Sequence, residues 1–254
     1  MSDGLSVLHA DGGVVELVLD RPDTRNALSY ELAARLVEEL RRAAEDPDTR
    51  VVLLRGNGKS FCSGGDLQEF RTSLDDSAAV YHDSGRVWAE LVRTLVTLPL
   101  PTIVAAHGHA LAGGCAIVAA ADVALLAEGT ALGMSEIRIG LFPAIVYGTL
   151  ARAVGHRAAR ELALTGRRVD AGEAVALGLA HRLVAADDLL AQARALATDL
   201  AGLGRDPLRL GKELMNEAER LDVDGATQLG RAMRGAFMTS ADFRAGVAQF
   251  LERT

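Results

Sequence analysis

Apolar and polar positions follow two different rhythms along the first two thirds of this chain. Short runs of apolar and β-branched residues, each bounded by turn-forming residues, predict strands at 14–19, 51–54, 102–106 and 122–126. Longer stretches with helical spacing lie between these runs. The alternation of strands and helices predicts an α/β fold.

The helical spacing is clearest just after the first predicted strand. Ser29 is a favourable N-cap, and Glu38 and Arg42 lie four residues apart on one face of the predicted helix. The apolar positions of this helix share another face: Leu32, Leu36, Val37 and Leu40. We therefore expect this apolar face to pack on the predicted strands.

The last part of the chain loses the strand rhythm. No strand pattern follows 179–184, and the sequence from Ala186 onward has helical spacing. A break is predicted at 202–204 and a new helix start near Asp206 and Pro207. We therefore divide the chain into a core, residues 1–200, and a C-terminal helical region, residues 201–254.

Composition narrows the possible classes of function. The chain has 254 residues, of which 49% are apolar and 24% charged, so it can bury a substantial core. Its net charge is −7, with acidic and basic residues interleaved, so we expect no nucleic-acid partner. We find no secretory leader pattern and no uninterrupted apolar stretch of membrane length. These features predict a cytoplasmic protein without a membrane partner.

The cysteines and two neighbouring histidines do not form a metal-ligand pattern. Cys62 and Cys115 lack ligand spacing, so we expect buried, reduced thiols. His107 and His109 have no evident third ligand. We therefore expect no metal site.

Two glycine-rich turns carry most of the chemical information. One lies at 60–67 and the other at 108–115, and each follows an apolar strand and precedes a helix. Glycine turns of this kind can direct free backbone N–H groups outward. Two such turns can therefore hold one developing oxyanion between them.

These residues resemble the signature of the crotonase (enoyl-CoA hydratase/isomerase) family. Four segments match in the family's order and spacing: 21–28, 61–67, 112–115 and 136–143. The resemblance implies a crotonase-like ββα spiral core and a C-terminal helical trimerisation region that builds a homotrimer or a dimer of trimers. It also implies an acyl-CoA thioester substrate. Coenzyme A would then enter with the substrate, and no separate cofactor is expected.

The resemblance assigns three catalytic positions. The N–H groups of Gly65 and Gly113 correspond to the two oxyanion donors, and Glu136 corresponds to one of two acid–base glutamates. The other glutamate is replaced here by Ala116, which cannot transfer a proton. Apolar neighbours of Glu136 predict a raised pKa for its carboxyl group.

The resemblance also assigns binding positions. Arg25 and Ala27 match the segment that binds CoA, with Arg25 placed to face phosphate groups. Asp66 follows the first donor and supports the turn, and Tyr147 lies in a run that departs from the common hydratase pattern. The remaining candidates for substrate contacts are Cys62, Gly64, Leu67, Phe250 and Arg253. The residues from Gln68 to Arg86 are expected to form a polar, mobile loop over the acyl pocket.

The acid–base residues leave more than one reaction open. Ala116 and the run 144–148 resemble the branch that contains methylglutaconyl-CoA hydratases, which suggests hydration of a branched or carboxylated enoyl-CoA. An enoyl-CoA double-bond isomerase needs only one proton-shuttling carboxylate and is the second hypothesis. A non-catalytic acyl-CoA-binding protein is the third, although retention of Glu136 argues against it.

Overall fold

The computed structural model describes residues 4–252. Its strands are β1 (Leu5–Ala10), β2 (Val14–Leu19), β3 (Val51–Gly56), β4 (Thr102–Ala106), β5 (His109–Leu111), β6 (Val123–Ala127), β7 (Ala131–Gly133), β8 (Val169–Asp170) and β9 (Arg182–Val184). Its α-helices are α1 (Tyr30–Glu45), α2 (Leu67–Thr72), α3 (Ala78–Thr97), α4 (Gly113–Ala120), α5 (Tyr147–Thr165), α6 (Ala171–Ala176), α7 (Leu189–Ala201), α8 (Arg205–Ala218), α9 (Val223–Thr239) and α10 (Ala241–Glu252).

The strands form two sheets, and consecutive strands along the chain alternate between them from β4 to β7. The larger sheet has the order β1-β2-β3-β4-β6-β9, and the smaller has the order β5-β7-β8. β4 and β6 belong to the larger sheet, and each is followed at once by a strand of the smaller sheet and then by a helix. The chain thus repeats a ββα unit, which is the predicted spiral.

The larger sheet separates two apolar cores. On β3, Val52 and Leu54 pack into the core formed with α1, α3 and α4, whereas Val51 and Leu53 pack into the core formed with α7. Successive side chains of a strand point to opposite faces, so a strand covered on both faces is apolar throughout. Residues 51–54 are all apolar because both faces of this strand are buried.

The helix predicted after Ser29 is confirmed. The Leu32 N–H donates to the Ser29 hydroxyl at 3.1 Å, and Glu38 pairs with Arg42 at the surface. The predicted apolar face is buried throughout: Leu32, Leu36, Val37 and Leu40. This face holds α1 against the larger sheet.

The C-terminal helices attach to the core through a buried lysine. The Lys212 ammonium group, on α8, donates to the Asp122 carboxylate at 2.6 Å and to the Leu100 carbonyl at 3.0 Å. Burial lowers the pKa of Lys212, and the attraction of Asp122 opposes that shift. The end of α7 at Ala201 coincides with the predicted boundary, although the division into two units stays a prediction. Within residues 4–252, no helix is both long and apolar enough to cross a bilayer.

The segment predicted as a mobile loop over the acyl pocket is largely helical instead. It contains α2 and the first half of α3, whose N-terminus is capped by the Ser77 hydroxyl. The apolar residues of α3 that pack on the core all lie from Val87 onward, and Leu91 and Leu95 among them are buried. The exposed first half therefore lacks a buried stripe, which is why its sequence resembles a loop.

Candidate active site

The first glycine turn is fixed in place by pairing with the segment before α1. The Leu28 N–H donates to the Gly64 carbonyl at 2.8 Å, and the Asp66 N–H donates to the Leu28 carbonyl at 2.9 Å. These two bonds flank Gly65, which pairs with Leu28 in a parallel β-bridge. In such a bridge the N–H of the middle residue points away from its partner. The Gly65 N–H therefore points away from Leu28.

The second turn contains a strained residue immediately before its donor. Ala112 has a φ of 48° and a ψ of −117°, a conformation that normally suits glycine and costs about 1–3 kcal/mol in other residues. Its N–H donates to the Gly133 carbonyl at 2.8 Å, and its carbonyl accepts the Ala116 N–H at 3.0 Å. These bonds hold the strained peptide and direct the Gly113 N–H outward at the start of α4. The positive end of the helix dipole at this position favours an anion.

The two turns are packed directly against each other. A Cβ atom placed on Gly64 would lie 2.7 Å from the Cβ of Ala112 and 3.6 Å from the Gly113 nitrogen. A Cβ on Gly114 would lie 2.5 Å from the Cys62 carbonyl oxygen. Only glycine permits this approach, which brings Gly65 and Gly113 to one place in the molecule.

Neither candidate donor is used by the fold of the described residues. Among residues 4–252, neither the Gly65 N–H nor the Gly113 N–H donates a hydrogen bond. Both residues are half-buried rather than sealed in the interior. Since backbone N–H groups are almost always paired, two free donors side by side favour a site for an external anion or carbonyl oxygen.

Glu136 supplies a carboxyl group with an unusual environment. Its Oε2 atom is buried and has no hydrogen-bond partner among the described residues. Burial raises the pKa of the Glu136 carboxyl above its ordinary value. Its charge also contributes to the raised pKa of Cys115, which lies two residues after the Gly113 donor. A buried carboxyl group with a raised pKa is suited to accepting and returning a proton.

Comparison with known proteins identifies the family. A family model described as enoyl-CoA hydratase/isomerase matches residues 9–254. The chain belongs to the enoyl-CoA hydratase/isomerase family. It is thus an enzyme of hydratase/isomerase type that acts on acyl-CoA thioesters.

Individual relatives support this assignment over almost the whole chain. A probable enoyl-CoA hydratase of Mycobacterium tuberculosis is 34% identical over 97% of this chain and 95% of its own. The 1,2-epoxyphenylacetyl-CoA isomerase of Escherichia coli is 33% identical over 96% of this chain and 94% of its own. The crystal structure of an enoyl-CoA hydratase from Mycobacterium smegmatis superposes with a TM-score of 0.94 at 33% identity, covering 98% of this chain and 96% of that one. The crotonase-like fold expected from the sequence is therefore confirmed.

Asp66 supports the first turn of this hydratase/isomerase family member, as expected. One of its oxygens accepts the Gln68 N–H at 3.0 Å and so caps α2, and the other pairs with the Arg21 guanidinium at 3.0 Å. Arg21 also donates to the Ala27 carbonyl at 2.8 Å. These contacts leave Asp66 in a supporting position, and its assignment as a substrate contact stays a prediction.

The CoA-binding candidates before α1 form an ordered turn. Arg25 is exposed with a positive φ of 55°, and its carbonyl accepts the Ser63 N–H at 3.0 Å. The adjacent Asn26 is fully buried, and its amide donates to the Asn57 and Ser60 carbonyls at 2.9 and 2.8 Å. Ala27 is buried beside it. Asn26 thus fixes this turn, with Arg25 at the surface next to the first glycine turn. The contacts of Arg25 and Ala27 with CoA stay predictions.

The other binding candidates differ in accessibility. Leu67 and Phe250 are strongly exposed, at 59% and 72%, whereas Gly64 is buried between the two turns. The ring of Tyr147 is half-buried and lies 6.0 Å from the ring of Phe142. Arg253 lies outside the described residues. The contacts of all of these residues with substrate stay predictions.

The two thiols contribute no nucleophile to the site. Cys62 and Cys115 are fully buried, and this burial raises the pKa of each thiol to about 12. The backbone N–H and carbonyl of Cys62 are both bonded to β5, at 2.9 and 3.0 Å. A ligand could therefore contact Cys62 only at backbone atoms that are already hydrogen-bonded to β5.

The apolar residues after Glu136 were predicted from the sequence as neighbours that raise its pKa, and not as a binding surface. Leu141, Phe142 and Ile145 are exposed at 48%, 42% and 44%. Single exposed apolar residues are ordinary, but a group of them following the candidate base is typical of a binding surface. The apolar content of residues 141–147 is the feature of the sequence that could have indicated a binding surface.

Proposed function

We propose that this enzyme hydrates a branched or carboxylated enoyl-CoA and that Glu136 is its only acid–base carboxylate. The observation that carries the proposal is the buried, unpartnered Oε2 of Glu136 in the same structure as two free backbone donors. Ala116 is buried in the core at the start of α4 and cannot take part in proton transfer.

The proposed reaction balances with one carboxylate. As the oxygen of water forms a bond to the β-carbon, Glu136 accepts a proton from that water, and the electrons of the double bond move onto the thioester oxygen. The Gly65 and Gly113 N–H groups stabilise that oxygen, and a donor of this kind contributes about 2.7–4 kcal/mol. The protonated Glu136 then returns the proton to the α-carbon, which gives the β-hydroxyacyl thioester. No further cofactor enters this scheme.

The apolar surface of Leu141, Phe142 and Ile145 favours a branched acyl group over a carboxylated one. Burying a carboxylate against apolar side chains costs free energy unless a cation or hydrogen-bond donors compensate. A methyl branch instead gains from the same contact.

A panel of enoyl-CoA thioesters tests the proposal. We expect slow hydration of crotonyl-CoA, faster hydration of a branched enoyl-CoA, and abolished α-proton exchange in D₂O for Glu136→Gln with acyl-CoA affinity kept within about tenfold. Full activity of Glu136→Gln would refute the mechanism. Hydration of crotonyl-CoA as fast as by a hydratase with two glutamates would refute the specificity.

Double-bond isomerisation is the second candidate. An isomerase needs one carboxylate that removes a proton at one carbon and returns it at another. Of the two glutamate positions in the family pattern, 116 is alanine here and only Glu136 is retained. The E. coli relative named as an isomerase is as similar as several relatives named as hydratases. Migration of the double bond in a 3-enoyl-CoA without uptake of water would favour this alternative.

We further propose a homotrimer or a dimer of trimers. The support lies in the C-terminal helices, where large apolar side chains are exposed on the single chain: Met215, Val223, Met238, Phe243, Val247, Phe250 and Leu251. Surfaces of this kind are normally covered in closed, symmetric assemblies. Light scattering at micromolar concentration should give the mass of three or six chains, and a monomer would refute the proposal.

A further inference from the structure

Phe70 is a half-buried aromatic residue that belongs to neither hydrophobic core of the described chain. Its ring instead covers Gly65. A Cβ atom placed on Gly65 would lie 2.8 Å from the ring Cζ and 3.2 Å from Cε2. A large apolar side chain outside the core, packed on an oxyanion donor, has a position suited to contact with the bound thioester.

The ring is held in this position by the same contacts that hold the donor. Phe70 lies in the first turn of α2, where its N–H donates to the Asp66 carbonyl at 3.2 Å. The next contact comes from Glu69, whose carboxylate accepts the Tyr30 N–H of α1 at 2.9 Å. Because α2 is tied to both Gly65 and α1, the backbone that carries the ring is fixed relative to the donor.

The helix that follows α2 contacts the apolar residues after Glu136. The chain runs from α2 into α3, and a Cβ atom placed on Gly85 of α3 would lie 3.5 Å from the Ile145 side chain. This contact places α3 beside one of the apolar residues that follow Glu136. The CoA candidates Arg25 and Ala27 lie in the separate segment before α1.

We propose that Phe70 is a specificity-determining residue, whose ring excludes substituents on the α-carbon of the acyl group. The thioester oxygen must approach the Gly65 N–H, and the α-carbon is bonded to the same carbonyl carbon. A ring over Gly65 therefore leaves room for a hydrogen on the α-carbon and none for a methyl group. This inference rests on the proposed function and narrows its substrate class to enoyl-CoA thioesters that carry their branch at the β-carbon or beyond.

The test compares two substrates that differ by one methyl group, crotonyl-CoA and 2-methylcrotonyl-CoA. Phe70→Ala should raise the ratio of kcat/KM for the methylated over the unmethylated substrate by at least about tenfold, because one methyl group in a closed pocket is worth about 10- to 200-fold. Phe70→Leu should give a smaller rise and guards against loss of folding in the alanine variant. Leu74→Ala, which shortens an exposed apolar residue just after α2, is the matched control and should leave the ratio unchanged.

A binding measurement separates this inference from the proposed function. Calorimetry with butanoyl-CoA and 2-methylbutanoyl-CoA needs no turnover, and Phe70→Ala should shift their relative affinity in the same direction. If the wild-type enzyme turned over no enoyl-CoA, the proposed function would fail and calorimetry would still decide the role of Phe70. Equal losses for both ligands, or an unchanged ratio in both Phe70 variants, would overturn the inference.

Discussion

The carbonyl oxygen of Cys62 lies 2.5 Å from the position that a Cβ atom on Gly114 would occupy. Real Cβ atoms do not approach a carbonyl so closely, so the two oxyanion turns can meet only because residue 114 is glycine. The geometry of both donors therefore depends on Gly114 having a hydrogen atom where any other residue would have a Cβ. The candidate site thus depends on backbone packing as much as on its side chains.

Gly114→Ala should separate the two turns and weaken the hold on the thioester oxygen. Loss of one such donor lowers kcat by about 10²- to 10³-fold, and we expect an effect of this size in a steady-state assay. Gly235→Ala is the control, because Gly235 lies exposed within α9 and a Cβ there meets nothing within 4 Å. That control should keep its activity and its thermal stability. An unimpaired Gly114→Ala enzyme would contradict the proposed donor geometry.

Glu136→Gln should make the protein more stable near neutral pH while it removes catalysis. The pKa of Glu136 is raised by burial above its ordinary value of 4.5, so the folded protein holds this proton more tightly than the unfolded chain. The stability contributed by this group is therefore fully present below pH 4.5 and is lost as the pH rises through the folded pKa. Above its folded pKa, the ionised Glu136 carboxylate destabilises the folded state, and glutamine avoids this destabilisation.

The measurement is urea unfolding of both proteins across this pH range. The stability gain of Glu136→Gln should be largest at neutral pH and should shrink as the pH falls toward 4.5. Glu217→Gln, at an exposed position of α8, should change little at any pH. A destabilised Glu136→Gln protein at neutral pH would argue against a carboxylate whose ionised form is destabilised by burial.

Arg21→Met should weaken the first turn by removing one guanidinium that bonds to both of its flanks. Arg21 donates to the Ala27 carbonyl at 2.8 Å and to Asp66 at 3.0 Å, and these residues adjoin the Leu28–Gly65 bridge. Hydrogen bonds to charged groups contribute about 1.5–3 kcal/mol, and partial exposure of Arg21 places the expected loss of unfolding free energy at the lower end.

A surface ion pair provides the comparison for Arg21. Arg152 pairs with Glu219 between two exposed side chains, so Arg152→Met should cost about 0–1 kcal/mol. Chemical unfolding measures both losses. In the activity assay, Arg21→Met should lower kcat and Arg21→Lys should restore part of it. Equal, small effects of the two methionine substitutions would contradict a special role for Arg21.

Cys62 and Cys115 should resist thiol reagents in the folded protein. Burial raises the pKa of each thiol to about 12, so almost none of the reactive thiolate is present at pH 8, and both side chains are inaccessible. Iodoacetamide followed by mass spectrometry should label neither residue in native protein and both in denaturant. Rapid labelling of either thiol in the native enzyme would show that the turns open readily.

The sequence by itself determined the elements whose signal is local. The apolar runs predicted as strands correspond to β2, β3, β4 and β6 because burial on a sheet imposes a repeating pattern on neighbouring residues. Ser29 was predicted as an N-cap because its hydroxyl accepts from a backbone N–H only three residues further along the chain. The glycine turns and Glu136 were found through their order and spacing in the family pattern, which the family match supports.

Only the tertiary structure decided which of these groups are free and what surrounds them. Within residues 4–252 the Gly65 and Gly113 N–H groups have no partner, because the bridge to Leu28 and the hydrogen bond from Ala112 to Gly133 set the directions of these peptides, and such pairings join residues far apart in the chain. The same holds for the ring of Phe70 over Gly65 and for the helical state of the segment predicted as a loop. Local patterns record burial, whereas the direction of an N–H group and the neighbour of a ring depend on how distant segments pack.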